Sequence, residues 1–452
     1  MSKQKVRIDY DALVKADRVH SRIYTDAEIF SDEMERIFHR GWVYAGHSGE
    51  VPNPGDFRLK RIGLQPIIMV RDQSGKVNLL LNRCRHRGST VCQESRGNAR
   101  AFRCAYHGLT YRLNGDLSGV PYPDAYNDSF HRAEMGLVKV PRVEEYRGFI
   151  FGSLSPAGIS LEEHLGRAIE QIDLFIDLSP ESSLDVSIGA HKYNFPANWK
   201  LQVENSMDGY HPPVVHQSVV LALEERIGRQ VETYTEKSQA LTRDLGGGHV
   251  MLDYRRCTGN RSLNVTTTFN GAPSSAWREE YTAALERRHG KARASELLEA
   301  NGTHLLVFPN LVLLGVQIRV INPVRPDLTE VEAYPTLLAG APEEINLTRL
   351  RGHEAFFGPA SAGAPDDVEM FIRMQAGYAA ALDPWIVIAR GENREHREAD
   401  GTTVGHVMDE VTQRAIWRHW KQVMSGGEPR RAQSSRNSSE SVNLSDFPRL
   451  DG

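Results

Sequence analysis

The spacing of apolar residues divides this sequence into a helical start, a β-rich segment and a longer mixed segment. Over residues 26 to 40, apolar side chains recur at helical intervals among charged ones, and no glycine appears before Gly41, so a helix is predicted there. From Trp42 to about Leu154, short β-branched or aromatic runs alternate with Gly, Asn, Asp and Pro turns. That alternation is typical of a small all-β domain.

Helices and strands are mixed in the second part of the chain. Ser160 and Glu163 have the spacing of a capping box, and apolar residues follow at helical intervals, which predicts a helix over about residues 161 to 177. Longer patterns predict two strands and two further helices, over Thr303–Val324 and Val331–Leu338 and over Asp366–Leu382 and Val411–Met424. The fold class is therefore predicted to be α+β.

These patterns predict four segments. Residues 1–40 form an N-terminal helical segment, residues 41–160 the all-β domain and residues 161–425 the mixed domain. Residues 426–452 are rich in Ser, Arg, Asn, Gly and Pro and hold few apolar side chains, so a disordered tail is predicted there.

Composition narrows the possible functions. The 452 residues include 54 Lys and Arg against 58 Asp and Glu, a formal net charge of −4. Without a basic excess, neither nucleic-acid binding nor long-range electrostatic steering is expected. No apolar run approaches the roughly 20 residues that cross a bilayer, and the first ten residues lack the apolar core of a signal peptide, so we expect a cytoplasmic protein without membrane contact. No glycine-rich nucleotide loop follows a strand, so electrons for any redox chemistry would come from another protein.

Two short loops carry the most specific chemistry. Cys84-x-His86 and Cys104-x-x-His107 each combine one thiolate with one imidazole, and each has a glycine just beyond its histidine. Two thiolates on one iron and two imidazoles on the other form the ligand set of a Rieske [2Fe-2S] cluster. A zinc site is the alternative, but its usual spacing is Cys-x-x-Cys followed by a pair of histidines.

A second motif offers ligands for a mononuclear metal. Asp208, His211 and His216 lie close together in the sequence, and non-haem Fe(II) takes two histidines and one carboxylate on one face. Asp208 and His211 would share a helix face, whereas His211 and His216 would lie about 140° apart on an unbroken helix. Pro212 and Pro213 predict a break that re-aims the chain there. Alone, His-x4-His is also compatible with a helix surface or a satisfied core.

Together the two motifs resemble the large (α) subunits of Rieske non-haem iron aromatic-ring-hydroxylating dioxygenases, in the branch of the benzoate, anthranilate and terephthalate enzymes. The resemblance runs from about residue 20 to residue 425. It implies an all-β Rieske domain and an α+β helix-grip catalytic domain with an antiparallel sheet, on which the N-terminal segment packs. It also implies two cofactors, a [2Fe-2S] cluster and mononuclear Fe(II). The implied reaction adds O2 to an aromatic ring, that of an aromatic carboxylate, and gives a cis-dihydrodiol.

By the same resemblance, His211 and His216 would bind the iron. Asp208 would not be a ligand but would bridge an iron-bound histidine to a cluster histidine of a neighbouring subunit, which here would be His107. This bridge would be the path of the electrons.

The third iron ligand is expected from a Gly-Pro…Asp-Asp stretch that ends at Asp366 and Asp367. The resemblance assigns Asp367 to the iron, and Asp366 is then predicted to be the N-cap of the following helix. A shift of one residue would exchange these roles. Asn205 would approach the iron without firmly coordinating it, or would be a buried amide that stabilises its helix.

Several assignments have two readings. Arg319 and Arg390 occupy places similar to arginines of relatives that act on aromatic carboxylates, and a guanidinium matches a carboxylate; either could instead form a structural ion pair. The glycine-rich stretch Gly246–His249 predicts a mobile loop at a pocket entrance or only a turn. Cys92 and Cys257 are expected to be small hydrophobes, buried or half-buried.

The implied partners are O2, a small aromatic substrate and an NADH-dependent reductase, acting directly or through a ferredoxin. The implied assembly is α3, or α3β3 with a small β subunit. Three alternatives remain: a ring monohydroxylase of the same family, a Rieske electron-transfer protein that needs only the first motif, and a zinc-stabilised binding protein.

Overall fold

The computed structural model describes residues 8–228, 235–255, 275–300 and 303–426. Cys257 and, apart from Gly426, the predicted disordered tail lie outside these residues. Within the described ranges, no helix is long and apolar enough to cross a membrane.

The N-terminal segment is helical and is tied to the far end of the chain. Its α-helices are Tyr10–Leu13, Arg22–Thr25 and Ala27–Glu33. Asp26 caps the third helix by accepting hydrogen bonds from two backbone N–H groups, and the helix continues as a π-helix over Met34–His39. Strand Arg18–His20 pairs antiparallel with Trp385–Val387, so this segment packs on the C-terminal half.

Three small antiparallel sheets build the all-β lobe. In sheet order, the strands are Val77–Leu81, Gln65–Arg71, Asp56–Ile62 and Arg96–Asn98; then Phe102–Arg103, Thr110–Tyr111 and Leu117–Gly119; then Arg142–Tyr146, Phe149–Ser153 and Val43–His47. Short 3-10 helices lie at Ser48–Glu50, Pro123–Ala125 and Arg132–Met135. Cys84 and Cys104 belong to the apolar core of this lobe, as does Cys92, which is buried as predicted.

A nine-stranded antiparallel sheet forms the centre of the second lobe. Its strands, in order, are His191–Phe195, Leu328–Pro335, Gln317–Arg325, Leu311–Leu314, Thr303–Val307, His249–Asp253, Leu241–Gly246, Thr403–His406 and His396–Arg397. A short pair, Leu184–Asp185 and Leu337–Leu338, stands beside it. The architecture is therefore α+β, and the second lobe is built on an antiparallel sheet, as the resemblance implied.

The second lobe also contains helices, several of which contact the sheet. They are Leu161–Leu165, Ala168–Asp177, Trp199–Ser206, Pro212–Val215, Gln217–Ile227, Ser275–His289, Lys291–Ala300, Glu343–Gly352, Ala364–Gly377 and Val411–Met424, with a π-helix at His353–Phe357 and a 3-10 turn at Glu392–Arg394. The last α-helix has the predicted bounds. The Ser160 capping box is confirmed, but Gly166, at φ +47°, divides the helix predicted over 161–177 into two.

Turn residues correct one strand prediction and form the turn that was predicted at Gly246–His249. The run Thr303–Val324 folds as three strands because Pro309 cannot donate to a ladder and Gly315 adopts a positive φ of +53°. Gly246, Gly247 and Gly248 all have positive φ and form a hairpin turn. A side chain on Gly248 would collide with His419, since a Cβ there would lie 2.7 Å from the ring.

A buried carboxylate joins three of these elements. Glu33 accepts hydrogen bonds from the indole of Trp199 at 3.1 Å and from that of Trp420 at 2.7 Å. The ammonium of Lys200 lies 2.7 Å from the same carboxylate. The N-terminal segment, helix Trp199–Ser206 and the last helix are thereby held together.

Candidate functional site

The segment that carries the predicted metal ligands is a broken helix. Helix Trp199–Ser206 ends before Asp208, whose Oδ1 accepts a hydrogen bond of 2.6 Å from the backbone of Tyr210 and so closes a tight turn. A new helix then begins at Pro212, with both prolines in its first turn, where a missing N–H costs nothing. The break therefore falls before the prolines, and Asp208 and His211 do not share a helix face as predicted.

Three side chains converge across this break. The Nε2 atom of His211 lies 3.5 Å from Oδ1 of Asp367, and Nε2 of His216 lies 3.4 Å from the same oxygen. One ligand atom from each residue falls within 4.8 Å of the others. Two imidazoles and one carboxylate arranged in this way form the donor set that mononuclear Fe(II) takes in oxygenases, so the residues fit the metal.

Each of these histidines has a second carboxylate behind it. The Nδ1 atom of His211 lies 3.4 Å from Oδ2 of Asp208, and Nδ1 of His216 lies 3.5 Å from Oδ2 of Asp366. Metal-bound histidines commonly direct their second nitrogen to such an acceptor, which fixes the ring and leaves Nε2 free for the metal. Both Nδ1 atoms are buried without a closer hydrogen-bond partner.

Asp366 is not the N-cap that the sequence predicted. The helix begins at Ala364 with Gly363 in the N-cap position, and Asp366 lies within its first turn. Pro365 explains the earlier start, because proline is favoured at the beginning of a helix. Asp367 thereby turns toward the two histidines, and Asp366 toward the back of His216.

Asn205 lies within the same group. Its Nδ2 donates a hydrogen bond of 3.1 Å to Oδ1 of Asp367 and lies 3.3 Å from Nε2 of His211. The amide therefore approaches the position where the metal would bind.

Burial and charge act differently on the two histidines. Burial lowers the pKa of His211, but the nearby carboxylate of Asp208 and the charge of Asp367 outweigh it, so the net pKa is raised. For His216 burial prevails over the charge of Asp367, and the pKa is lowered. His216 is therefore more readily neutral, the form in which imidazole binds a metal.

The two Cys–His loops meet at the tip of the all-β lobe. The Nδ1 atoms of His86 and His107 face each other at 3.2 Å, and the thiols of Cys84 and Cys104 are buried beneath them. The hydroxyl of Tyr111 lies 3.1 Å from Sγ of Cys84. Two sulfurs and two Nδ1 atoms directed to one region fit a Rieske cluster.

The two arginines have different surroundings. Arg390 donates to the carboxylate of Glu236 at 2.5 Å and lies over the ring of Tyr210 at 4.1 Å. For Arg390, these contacts favour a structural ion pair over binding of a substrate carboxylate. Arg319 is only 4 % exposed and donates to neutral acceptors, the side-chain oxygens of Gln317 and Ser206, each at 3.1 Å. Among the described residues, no carboxylate pairs with it.

The sequence did not point to a third group, formed by His191, His353 and Glu354, whose ligand atoms also lie within 4.8 Å of one another. Because Oε1 of Gln317 accepts from Arg319, its Nε2 must donate to Nε2 of His353, at 3.0 Å. The proton of a neutral His353 then lies on Nδ1, which faces Glu354 at 3.3 Å. A hydrogen-bond network explains this group without a metal.

Comparison with known proteins agrees with both sites. Residues 41–143 match the family model of the Rieske [2Fe-2S] domain, and residues 184–426 match that of the ring hydroxylating alpha subunit catalytic domain. The chain is 34% identical over 391 residues to the 2-halobenzoate 1,2-dioxygenase large subunit of Burkholderia cepacia, covering 83% of this chain and 80% of the relative.

Two further relatives support this match. Identity is 34% over 381 residues to the anthranilate 1,2-dioxygenase large subunit of Acinetobacter baylyi, covering 83% of this chain and 80% of that one. The structure of naphthalene 1,2-dioxygenase from Rhodococcus sp. superposes with a TM-score of 0.77 at 26% identity, covering 90% of this chain and 94% of that chain.

Proposed function

This chain belongs to the family of ring-hydroxylating oxygenase α subunits with a Rieske [2Fe-2S] domain, and we propose that its substrate is an aromatic carboxylate. It is an oxidoreductase whose cofactors are the Rieske cluster and a mononuclear iron. The proposed product is a cis-dihydrodiol. The observation that carries the oxygenase function is the convergence of His211, His216 and Asp367 on one point.

When bound, the cluster supplies single electrons, and the iron provides the position at which O2 is reduced beside the ring. His211, His216 and Asp367 would hold the iron. Asp208 and Asp366 would keep the protons of the two imidazoles on Nδ1, and so keep each Nε2 available. Asn205 would hold Asp367 in place through its 3.1 Å hydrogen bond.

We assign recognition of the substrate carboxylate to Arg319 rather than to Arg390. A buried guanidinium without an anion is costly, and a substrate carboxylate would compensate it through two parallel hydrogen bonds. Arg319 is linked to the iron site through Ser206, which follows Asn205 in the chain. Burial raises the pKa of the Tyr193 hydroxyl, and the charges of both Arg319 and Asp367 also act on it.

Asp208 is our candidate for the last step of electron delivery. Its carboxylate lies 3.4 Å from His211, and its side chain keeps 26% of its exposure, so one side remains open to a neighbour. In an α3 or α3β3 assembly it would meet His107 of a neighbouring subunit. The electrons would come from an NADH-dependent reductase, directly or through a ferredoxin.

Substrate turnover tests the proposal. Purified enzyme with a surrogate reductase and NADH would be screened with aromatic acids and with neutral rings of the same size, following O2 uptake and the product by mass spectrometry. Two oxygen atoms from ¹⁸O2 in one product molecule are expected. A singly hydroxylated product would instead favour the monohydroxylase.

A matched pair of variants tests the recognition step. Arg319→Gln should raise KM for aromatic acids by about 10- to 100-fold, because charge-assisted hydrogen bonds contribute about 1.5–3 kcal/mol, while KM for a neutral ring stays the same. Arg390→Gln should leave the ratio of the two KM values unchanged. An equal loss for acids and neutral rings in Arg319→Gln would make Arg319 structural.

A further inference from the structure

A line of hydrogen bonds joins the surface of the second lobe to the buried guanidinium of Arg319. Its members, in order from the surface, are Glu354, His353, Gln317 and Arg319, and we call them the polar chain. Gln317 and His353 are each 0% exposed, whereas the side chain of Glu354 keeps 48% of its exposure. The polar chain therefore has one end at the surface and the other in the core.

Every hydrogen bond of the polar chain points the same way. Nε of Arg319 donates to Oε1 of Gln317 at 3.1 Å, and Nε2 of Gln317 then donates to Nε2 of His353 at 3.0 Å. Burial lowers the pKa of His353 to about 4, so the imidazole is neutral near pH 7 and carries a single proton. That proton lies on Nδ1, which donates to Oε1 of Glu354 at 3.3 Å.

The carboxylate of Glu354 sets this direction. An ionised carboxylate only accepts hydrogen bonds, whereas water or an amide can also donate. Burial raises the pKa of Glu354, but its interactions with His191, at 2.9 Å, and with His353 outweigh burial, so the net pKa is lowered and the group stays ionised. The proton of His353 is thereby held on Nδ1, and Nε2 is left as an acceptor.

The direction matters because the amide of Gln317 has one accepting oxygen and one donating NH2 group. With Nε2 of His353 as acceptor, the NH2 group faces His353 and the oxygen faces Arg319. If the proton of His353 moved to Nε2, the amide would turn over and present its NH2 group to a guanidinium that has no acceptor. Arg319 would then lose this hydrogen bond and with it a fixed orientation.

The guanidinium is held from a second direction by helix Trp199–Ser206. Nη1 of Arg319 donates to the hydroxyl of Ser206 at 3.1 Å, and Ser206 follows Asn205, which approaches the iron site. No described residue accepts a hydrogen bond from Nη2 of Arg319. Two corners of the guanidinium are therefore fixed by the protein, and the third is left for a ligand.

We infer that His353 and Glu354 are positioning residues for recognition of the substrate carboxylate. The inference rests on the proposed function, since it matters only if Arg319 binds that carboxylate. The polar chain orients the guanidinium before a ligand arrives, so less freedom is lost on binding. Both residues act through Gln317 and need not touch the ligand.

A network that only satisfies buried polar groups would behave differently from a positioning chain. Its loss would lower stability and would affect acidic and neutral ligands alike. A positioning chain instead predicts a loss of affinity that is selective for acids. Benzoate and its neutral amide, benzamide, are suitable probes because they have nearly the same size and differ in charge.

Equilibrium dialysis of the oxidised holoenzyme without reductant would give the Kd of each probe, and thermal unfolding would report on the fold. His353→Leu removes the acceptor of Gln317 and should raise Kd for benzoate about tenfold, while Kd for benzamide stays the same. Glu354→Ala should raise Kd for benzoate about 3- to 10-fold, because the water that replaces the carboxylate can either donate to Nδ1 of His353 or accept from it.

A conservative variant and a neighbouring glutamate provide the controls. Glu354→Gln should recover most of the affinity for benzoate, because the amide oxygen still accepts from Nδ1 of His353. Glu343→Ala removes an exposed glutamate from helix Glu343–Gly352, which directly precedes the π-helix that carries the polar chain, and should change neither Kd.

Two results would overturn the positioning role. One is an unchanged ratio of the two Kd values in both His353→Leu and Glu354→Ala. The other is a Glu354→Gln variant as defective as Glu354→Ala, since the effect would then come from the charge of Glu354 and not from the direction of the hydrogen bonds.

Arg319→Gln, measured with the same probes, separates the inference from the proposed function. A selective loss for benzoate in Arg319→Gln, with none in the variants of His353 and Glu354, would defeat only the inference. An equal effect of Arg319→Gln on both probes would defeat the recognition role of Arg319 and the inference with it. An unmodified protein that binds benzoate no better than benzamide would defeat the proposed substrate class, and the inference would fall too.

Discussion

Replacing Asp366 by alanine is expected to weaken iron binding about tenfold without removing a ligand. Loss of the acceptor behind a metal-bound histidine typically costs 10- to 100-fold in affinity. Asp366 lies 3.5 Å from His216 and its side chain is 36% exposed, whereas Asp208 lies 3.4 Å from His211 and is 26% exposed. Because water screens the more exposed carboxylate more strongly, the effect of Asp366 should lie at the low end and that of Asp208 higher.

Competition with a Fe(II) chelator would measure this affinity, with the cluster spectrum as a check that the Rieske lobe is intact. Asp366→Asn is the matched control. Its amide oxygen still accepts a hydrogen bond from Nδ1 of His216, so part of the affinity should return.

An N-cap or first-turn role would give a different result. A carboxylate in the first turn of a helix contributes about 0.3–1 kcal/mol to stability through the helix dipole and has no effect on the metal. If Asp366→Ala lowered the free energy of unfolding by that amount and left the affinity for Fe(II) unchanged, the assignment of Asp366 to His216 would be wrong.

Two buried carboxylates give further expected outcomes. Glu33→Ala leaves the buried ammonium of Lys200 without its partner and should destabilise the protein by about 3–5 kcal/mol in urea unfolding. Glu33→Ala/Lys200→Met should recover only part of this loss, because the indoles of Trp199 and Trp420 still lack their acceptor. Equal losses in both variants would show that the charge is not the cause. Burial raises the pKa of Glu204 to about 7 against hydrogen bonds from Tyr24 and Trp417, so its folded form holds a proton that the unfolded chain releases near pH 4.5. The free energy of unfolding should therefore fall by about 3 kcal/mol as the pH rises from about 4.5 to 7, and a Glu204→Gln variant with the same slope would contradict this.

Local patterns were sufficient for the ligands that lie close together in the sequence. The cluster loops follow from residue type and spacing alone, and His211 and His216 follow from the same kind of signal. Asp367 came from resemblance, because a ligand some 150 residues away leaves no local pattern. The structure brings it to both histidines.

Features that depend on tertiary contacts were not predictable. Arg319 and Arg390 look alike in the sequence, yet one is buried against neutral acceptors and the other pairs with Glu236, a distant residue. Asp366 was placed at an N-cap because the sequence gives its position in the helix but not the direction of its side chain. The sequence feature that could have indicated its role is the pair Asp366-Asp367. Adjacent residues of a helix point in different directions, so the two carboxylates would not both be directed to the metal.

The junction between the lobes limits how electron delivery can be regulated. Lys60 and Glu50 belong to the all-β lobe, and the ammonium of Lys60 lies 2.8 Å from the carboxylate of Glu50. The same ammonium lies 3.3 Å from the carboxylate of Glu332 and 2.6 Å from the hydroxyl of Tyr334, both on the nine-stranded sheet. All four side chains are buried, so moving the lobes apart would break the contacts of Lys60 with Glu332 and Tyr334 and leave only its pair with Glu50.

These buried contacts oppose a swing of the all-β lobe against the nine-stranded sheet. If Asp208 delivers electrons as proposed, a response to substrate would then be expected closer to the iron site. The turn between helices Trp199–Ser206 and Pro212–Val215 is the suitable element, since it carries Asp208 outside both helices. A small movement there would lengthen the 3.4 Å separation between Asp208 and His211 while both lobes keep their positions.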